Sequence, residues 1–404
     1  MSDTLFDSLR SEKSADIVFD RLAEALRVEH RYHELFELRL MQSRHRLSLP
    51  LGEAPPLDDL REPVRTETEE AYMDACREVG QHLLAEGEFR QAWAYLRPIG
   101  EKQPVAEELA RAKPTDDSLE ELVEIALHEG VAPDLGFDLV LRRYGTCNAI
   151  TLFESVMPTL AIGYQRSAAE RLVRHLHTEV LENVLAHIEQ REKKKPGQAT
   201  LAELIEKRVW LFDDENYHID ISHLASIVRF ARLLEEAPSS EDASPLWLAV
   251  DLAEYGRRLA PALQMAGEEP FVDLYPSHAL FFSALLGERV DEALDYFAEQ
   301  ARKIDPQNEN TAAEGTAMKG AAAEGTAAIE TYLILLARLG RFREALEAWA
   351  LRVPPEMRLS AYAPTRLWLA QQMGHFDRYL EICRQRGDLL GYAAGLIEAA
   401  KRKP

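Results

Sequence analysis

The chain has 404 residues, roughly two to three times the size of a usual domain, and so can bury one large core or several smaller ones. Apolar residues at 46%, charged residues at 29% and a mean hydropathy of -0.28 are those of a water-soluble fold and exclude the run of ~20 apolar residues that a membrane span needs. With 47 Lys and Arg against 69 Asp and Glu, the net charge of -22 repels phosphate backbones and anionic lipid. No nucleic acid and no membrane is therefore expected as a partner, whereas a protein or peptide is.

Apolar residues recur at three- and four-residue steps almost throughout. They predict helices within 15–49, where Val18, Leu22 and Leu26 are followed by Leu35, Leu38, Leu40 and Met41, and then over 68–86, 89–97, 118–128, 134–144 and 151–162. The same spacing continues over 167–190, 200–211, 223–235, 246–258, 273–286, 290–303, 326–339, 342–352, 362–373 and 376–386. Breakers such as Pro55-Pro56, Gly87, Gly130, Gly145, Pro196-Gly197, Gly287, Gly340 and Gly374 separate these stretches, and the period-two alternation of strands is almost absent. The expected fold is all-α, with antiparallel helix pairs stacked as an α-solenoid. Two regions are expected, an N-terminal helical one over 1–192 and a C-terminal repeat region over 198–404, joined by the exposed Lys193 to Gly197 linker.

The last part of the chain repeats itself. Gly340-Arg-Phe342-Arg-Glu-Ala345-Leu-Glu-Ala-Trp349 aligns with Gly374-His-Phe376-Asp-Arg-Tyr379-Leu-Glu-Ile-Cys383, at an offset of 34 residues. Gly87 with Phe89 and Ala92 fits the same frame, as does Gly287 with Ala293, Phe297 and Pro306 after one inserted residue. These segments, most clearly 326–386, resemble the tetratricopeptide repeat. The resemblance implies that a glycine ends one helix, an aromatic opens the next, and a small residue packs between helices. Tyr379 and Cys383 depart from it by replacing the small and bulky positions of the last copy, and 110–260 shows no period. Between Gly287 and Gly340 lies a near duplication, Ala312 to Ala317 and Ala322 to Ala327, inside an Ala/Gly-rich insertion at 308–328 expected to be a surface excursion.

Cys76, Cys147 and Cys383 form an odd, widely spaced set without CxxC pairing, and the opening Met1-Ser-Asp-Thr-Leu-Phe-Asp lacks a secretory signal. A cytoplasmic location is expected. Cys147 is placed just before a helix start capped by Thr151 and Glu154, as a small thiol in a turn rather than a nucleophile.

One cluster carries ligand-type side chains, Asp213-Asp-Glu-Asn-Tyr-His218-Ile-Asp220-Ile-Ser-His223. If 217–221 is extended, His218 and Asp220 share a side and His223 sits in the first turn of the next helix. On the helix 171–190, His177 falls on the apolar arc and His175 among the acids, so His177 is expected to be buried and to face that turn. His177, His218, Asp220 and His223 are thus a candidate site for a divalent metal such as zinc. The structural reading of the same residues makes Asp220 or Ser222 an N-cap and His177 a satisfied core histidine, with no cofactor. Glu215-x-x-His218 has no second copy to form a di-iron pair, and no HExxH, Walker A, GxGxxG or GxSxG motif occurs. The leading expectation is a non-catalytic protein-interaction scaffold that binds a peptide or partner helix in a solenoid groove. The alternative is a helical metal-dependent enzyme or metal-binding protein.

Overall fold

The computed structural model describes residues 3–52, 55–197, 199–235, 244–303, 318–354 and 357–401. Among them there is no strand, and the chain is all-α. Its helices group into two compact units, Met1–Leu152 and Phe153–Pro404.

The first unit begins with α1 (Asp3–Ser11), α2 (Ala15–Val28), α3 (Tyr32–Arg46) and α4 (Val64–Ala85). It continues with α5 (Phe89–Leu96), α6 (Gln103–Arg111), α7 (Asp116–Val123) and most of α8 (Pro133–Ser155). Neighbours in sequence pack on each other from α2 to α5, and the core is the set of apolar residues that the three- and four-residue spacing selects, such as Leu26, Leu35, Val79, Leu96 and Val105.

The second unit is organised on α9 (Ile162–Glu192), whose Leu172, Val173, Leu176, Val180, Val184 and Ile188 are all buried. Onto it pack α11 (Ile221–Phe230) and α12 (Pro245–Arg257), with the short α10 (Leu201–Glu206) against α12. The two units meet between Leu152 and Phe153, ahead of α9, which packs on α11 and α12 that come after it in the chain. The remaining helices form a row in which each packs on the next: α13 (Leu274–Leu285), α14 (Val290–Lys303), α15 (Met318–Arg338), α16 (Phe342–Arg352), α17 (Arg366–Met373), α18 (Asp377–Gln385) and α19 (Leu389–Lys401). Alternate members also touch, α13 with α15 and α17 with α19. Side-by-side helices joined by a turn of a few residues run antiparallel, so this row is a stack of helix pairs of the kind that builds helical repeats.

One turn recurs through both units. Gly87, Gly287 and Gly340 have φ of 79°, 85° and 70°, a region that side chains with a Cβ adopt at a cost. In each, the next amide reaches back to the carbonyl five residues earlier: Glu88 to Leu83 at 3.0 Å, Glu288 to Ser283 at 2.9 Å and Arg341 to Leu336 at 2.9 Å. This is the Schellman closure of a helix. The residues at the small position of the repeat, Ala92, Ala293 and Ala345, are all fully buried.

Two local expectations change. The second copy of the duplication, 322–327, lies in α15 and not in a loop, and Ala328 and Ile329 just beyond it are buried; the first copy lies outside the described residues. Cys147 is exposed and sits in the helical turn after the break of α8 at Gly145 (φ 83°, ψ 178°). Thr151 is not a cap, since its hydroxyl donates to the Cys147 carbonyl at 3.1 Å, a bond made inside a helix.

Candidate functional site: a histidine cleft in the second unit

Residues 209–220 run from a 3₁₀ stretch (Val209–Glu215) into the start of α11, and lie against α9 and α12. Asp220 is the N-cap of α11: its Oδ1 accepts from the backbone of Ser222 at 2.8 Å and of His223 at 3.3 Å, and from the Ser222 hydroxyl at 2.5 Å. These bonds hold its carboxyl below the usual range, the Ser222 hydroxyl first. His223 is half-buried in the first turn.

His218 is held from two directions. Its backbone N–H donates to the Tyr255 hydroxyl of α12 at 2.8 Å, and its Nδ1 lies 3.0 Å from the same oxygen. On the other side its Nε2 lies 2.9 Å from Nδ1 of His187 on α9. The Tyr255 hydroxyl thus meets both the backbone N–H and Nδ1 of His218, and one hydrogen bond joins the His218 and His187 rings. The Asn216 amide donates to the Leu211 carbonyl at 2.8 Å and lies 3.4 Å from each ring, while Asn183 donates to the His218 carbonyl at 2.8 Å. The edge of Trp210 meets His187 at 5.1 Å between ring centres, and the Arg191 guanidinium covers the Trp210 face at 4.3 Å.

His187, His218, Asn183, Asn216 and Asp220 line a cleft of about 600 Å³ whose walls also include Glu179, Gln190 and Tyr217. Burial, reinforced by the neighbouring His187, pushes His218 down to about 4, so it is neutral at physiological pH. Burial raises the pKa of Tyr255, which stays a phenol. No serine or cysteine lines the cleft among the described residues. The neutral His218 imidazole and the protonated Tyr255, bonded to each other and to His187, make a hydrogen-bonded clamp that fixes 209–220 to α9 and α12.

The four residues singled out from the sequence are distributed among different tasks. His177 is mostly buried but pairs with Asp251 of α12, Nε2 to Oδ2 at 3.1 Å, and does not join the His218 ring system. Asp220 caps a helix, His223 comes just after it, and His218 joins the clamp. Among the described residues, no three His, Cys, Asp or Glu side chains gather closely enough to hold a metal ion. The partners that sequence reasoning missed are His187 and Tyr255. For His187 a signal existed: Glu179, Asn183, His187 and Gln190 recur at steps of four, four and three, one polar stripe along the helix, and all four line the cleft.

No family model, no curated protein and no solved structure matches the chain.

Proposed function

We propose that this chain is a non-catalytic protein-interaction scaffold, tetratricopeptide-like toward its C-terminus, that receives an amphipathic partner helix. The observation that carries the reading is the last helix of the row. On α19, Leu389, Leu390, Leu396 and Ile397 are 82%, 86%, 48% and 58% exposed, and at 100° per residue they fall on one arc of about 120°. The side turned to the protein carries Gly391 and Gly395 instead, packed against Tyr379 of α18. Large apolar residues outward and glycines inward reverse the pattern of a terminal helix that faces only water. They supply the spaced anchors that helix-in-groove recognition uses.

The field of the chain selects the occupant. At -22, two copies repel each other, whereas a partner helix with an apolar stripe flanked by Lys and Arg is drawn in. Among the described residues no helix is long and apolar enough to cross a membrane, and three free thiols fit a cytoplasmic setting.

The test is selection of a displayed library of basic amphipathic helical peptides on the full chain. Binders should emerge and should lose at least about tenfold in affinity on the Leu390→Asp/Ile397→Asp double variant, whose circular dichroism stays unchanged. The absence of binders, or binders indifferent to the variant, would overturn the reading. Self-association in sedimentation, abolished by the same variant, would make the occupant a second copy and refute the charge argument.

A further inference from the structure

A second cavity of the same unit, about 750 Å³, lies between the start of α9, the turn after α11 and α15. Three guanidinium groups line it, Arg166, Arg232 and Arg338, against one carboxylate, Glu235. In a chain of net charge -22, such a local excess of cations needs a reason.

Two of the arginines are occupied. Arg338 donates to the carbonyls of Arg232, at 3.1 Å, and of Leu234, tying α15 to the turn after α11. Arg166 pairs with Glu235, yet its Nε is buried and without a hydrogen-bond partner. Arg232 differs. Its Nε donates to the Arg229 carbonyl at 3.0 Å and its plane lies 5.1 Å from the Phe271 ring centre, but among the described residues it makes no ion pair. It is open to solvent, and protein packed around it, with Arg229 beside it, lowers its pKa. The field of Arg229 disfavours a second bare cation there, only partly offset by Glu268, and a bound anion would relieve it. Nearby, Gln165 is buried, with its Oε1 accepting from the Tyr362 hydroxyl at 2.7 Å and its amide donating to the Leu160 carbonyl at 2.9 Å, so the polar wall is fixed in place. The rest of the lining, including Leu160, Ile162, Leu233 and Ile334, is apolar.

We infer that this cavity binds an organic anion, a carboxylate or phosphate ester on an aliphatic body, with the head on Arg232 and the Arg166 side and the body against Leu160, Ile162 and Ile334. Arg232 presents the planar, two-pronged donor that such heads fit, and the cavity is of the size that small organic ligands occupy.

Calorimetric titration of the full chain with decanoate, decyl phosphate, decanol and inorganic phosphate tests it. Decanoate or decyl phosphate should bind and decanol should not; the tighter of the two anions assigns the head group. Arg232→Gln should weaken that anion about tenfold, and Glu235→Gln, which frees Arg166, should tighten it. Circular dichroism checks that both variants keep their helix content, and the opposite signs of the two effects separate binding from misfolding. Decanol binding as well as the anions, inorganic phosphate matching them, or affinities unmoved by Arg232→Gln would overturn the inference.

Discussion

Acid should loosen the histidine clamp, and the size of the effect is set by one residue. The imidazole of His218 has an ordinary value of 6.5 when unfolded and about 4 in the fold. Between those values the unfolded chain binds more protons than the folded one, so stability rises with pH across the window. The contribution is complete above the unfolded value and is lost as pH falls toward the folded one. At 1.36 kcal/mol per unit, lowering the pH from roughly 7.5 to roughly 5 removes about 2 kcal/mol through this group alone. Urea denaturation at the two pH values, in wild type and in His218→Asn, isolates that share. Asparagine offers an acceptor to Tyr255 without a titrating ring, and the buried carboxylates and other histidines cancel in the difference. The variant should therefore lose about 2 kcal/mol less than wild type over the same interval. Equal acid sensitivity of the two proteins, or a His218 ring proton that titrates in NMR at its ordinary value, would refute the claim that burial and His187 hold this imidazole neutral.

Two further outcomes rest on packing. Ala345→Phe forces a large ring into a fully buried position between α16 and its neighbours, and should cost ~1–3 kcal/mol in the urea midpoint; an unchanged midpoint would mean that the small position of the repeat has room to spare. His278 on α13 is buried, is pushed down to about 3 by burial first and by Arg232 and Arg229 next, donates from Nδ1 to the Leu274 carbonyl at 2.6 Å, and leaves Nε2 without a partner. Leucine removes that unsatisfied nitrogen at similar volume, so His278→Leu should stay within about 1.5 kcal/mol of wild type at neutral pH and flatten the acid limb of the stability curve. A loss well beyond that would show that Nε2 contributes a bond.

What could be read from the sequence was whatever depends on nearby residues. Three- and four-residue apolar spacing selects the buried face of α9, the glycines at 87, 287 and 340 mark Schellman turns, and Asp220 ahead of an apolar run caps α11. Thr151 shows the limit of that locality. A threonine with a glutamate three residues on reads the same at a helix start and one turn inside it, and only the position of the break at Gly145 decides. The clamp and the arginine cavity lay beyond reach for another reason. His187, His218 and Tyr255 sit on three separate segments, as do Arg166, Arg232 and Arg338, and only the packing of α9, α11, α12 and α15 brings each set together. His177 was assigned to the right face of its helix, but its partner, Asp251, lies on α12 and not in the turn beside it in sequence.

The departure at Tyr379 ties the repeat pattern to the proposed docking face. In the preceding copy the equivalent position is Ala345, whose small side chain lets the next helix approach over it. Tyr379 puts a buried ring in that place, and a ring needs room on the next helix of the row. A Cβ on Gly395 would fall 2.6 Å from a Tyr379 ring carbon, so the ring holds that position to glycine, while one on Gly391 would meet the Asp388 carboxylate first and the Tyr379 hydroxyl at 3.0 Å. The hydroxyl then donates to the Gly391 carbonyl at 2.9 Å and fixes α19 in that register. With its inner face given over to glycines, α19 has only the outer face for its leucines and isoleucine, and there they stand exposed. A helix whose burial rests on so little apolar surface of its own gains most from a further helix laid over Leu390 and Ile397. The same residue that breaks the repeat pattern, Tyr379, thus leaves the apolar face of α19 exposed.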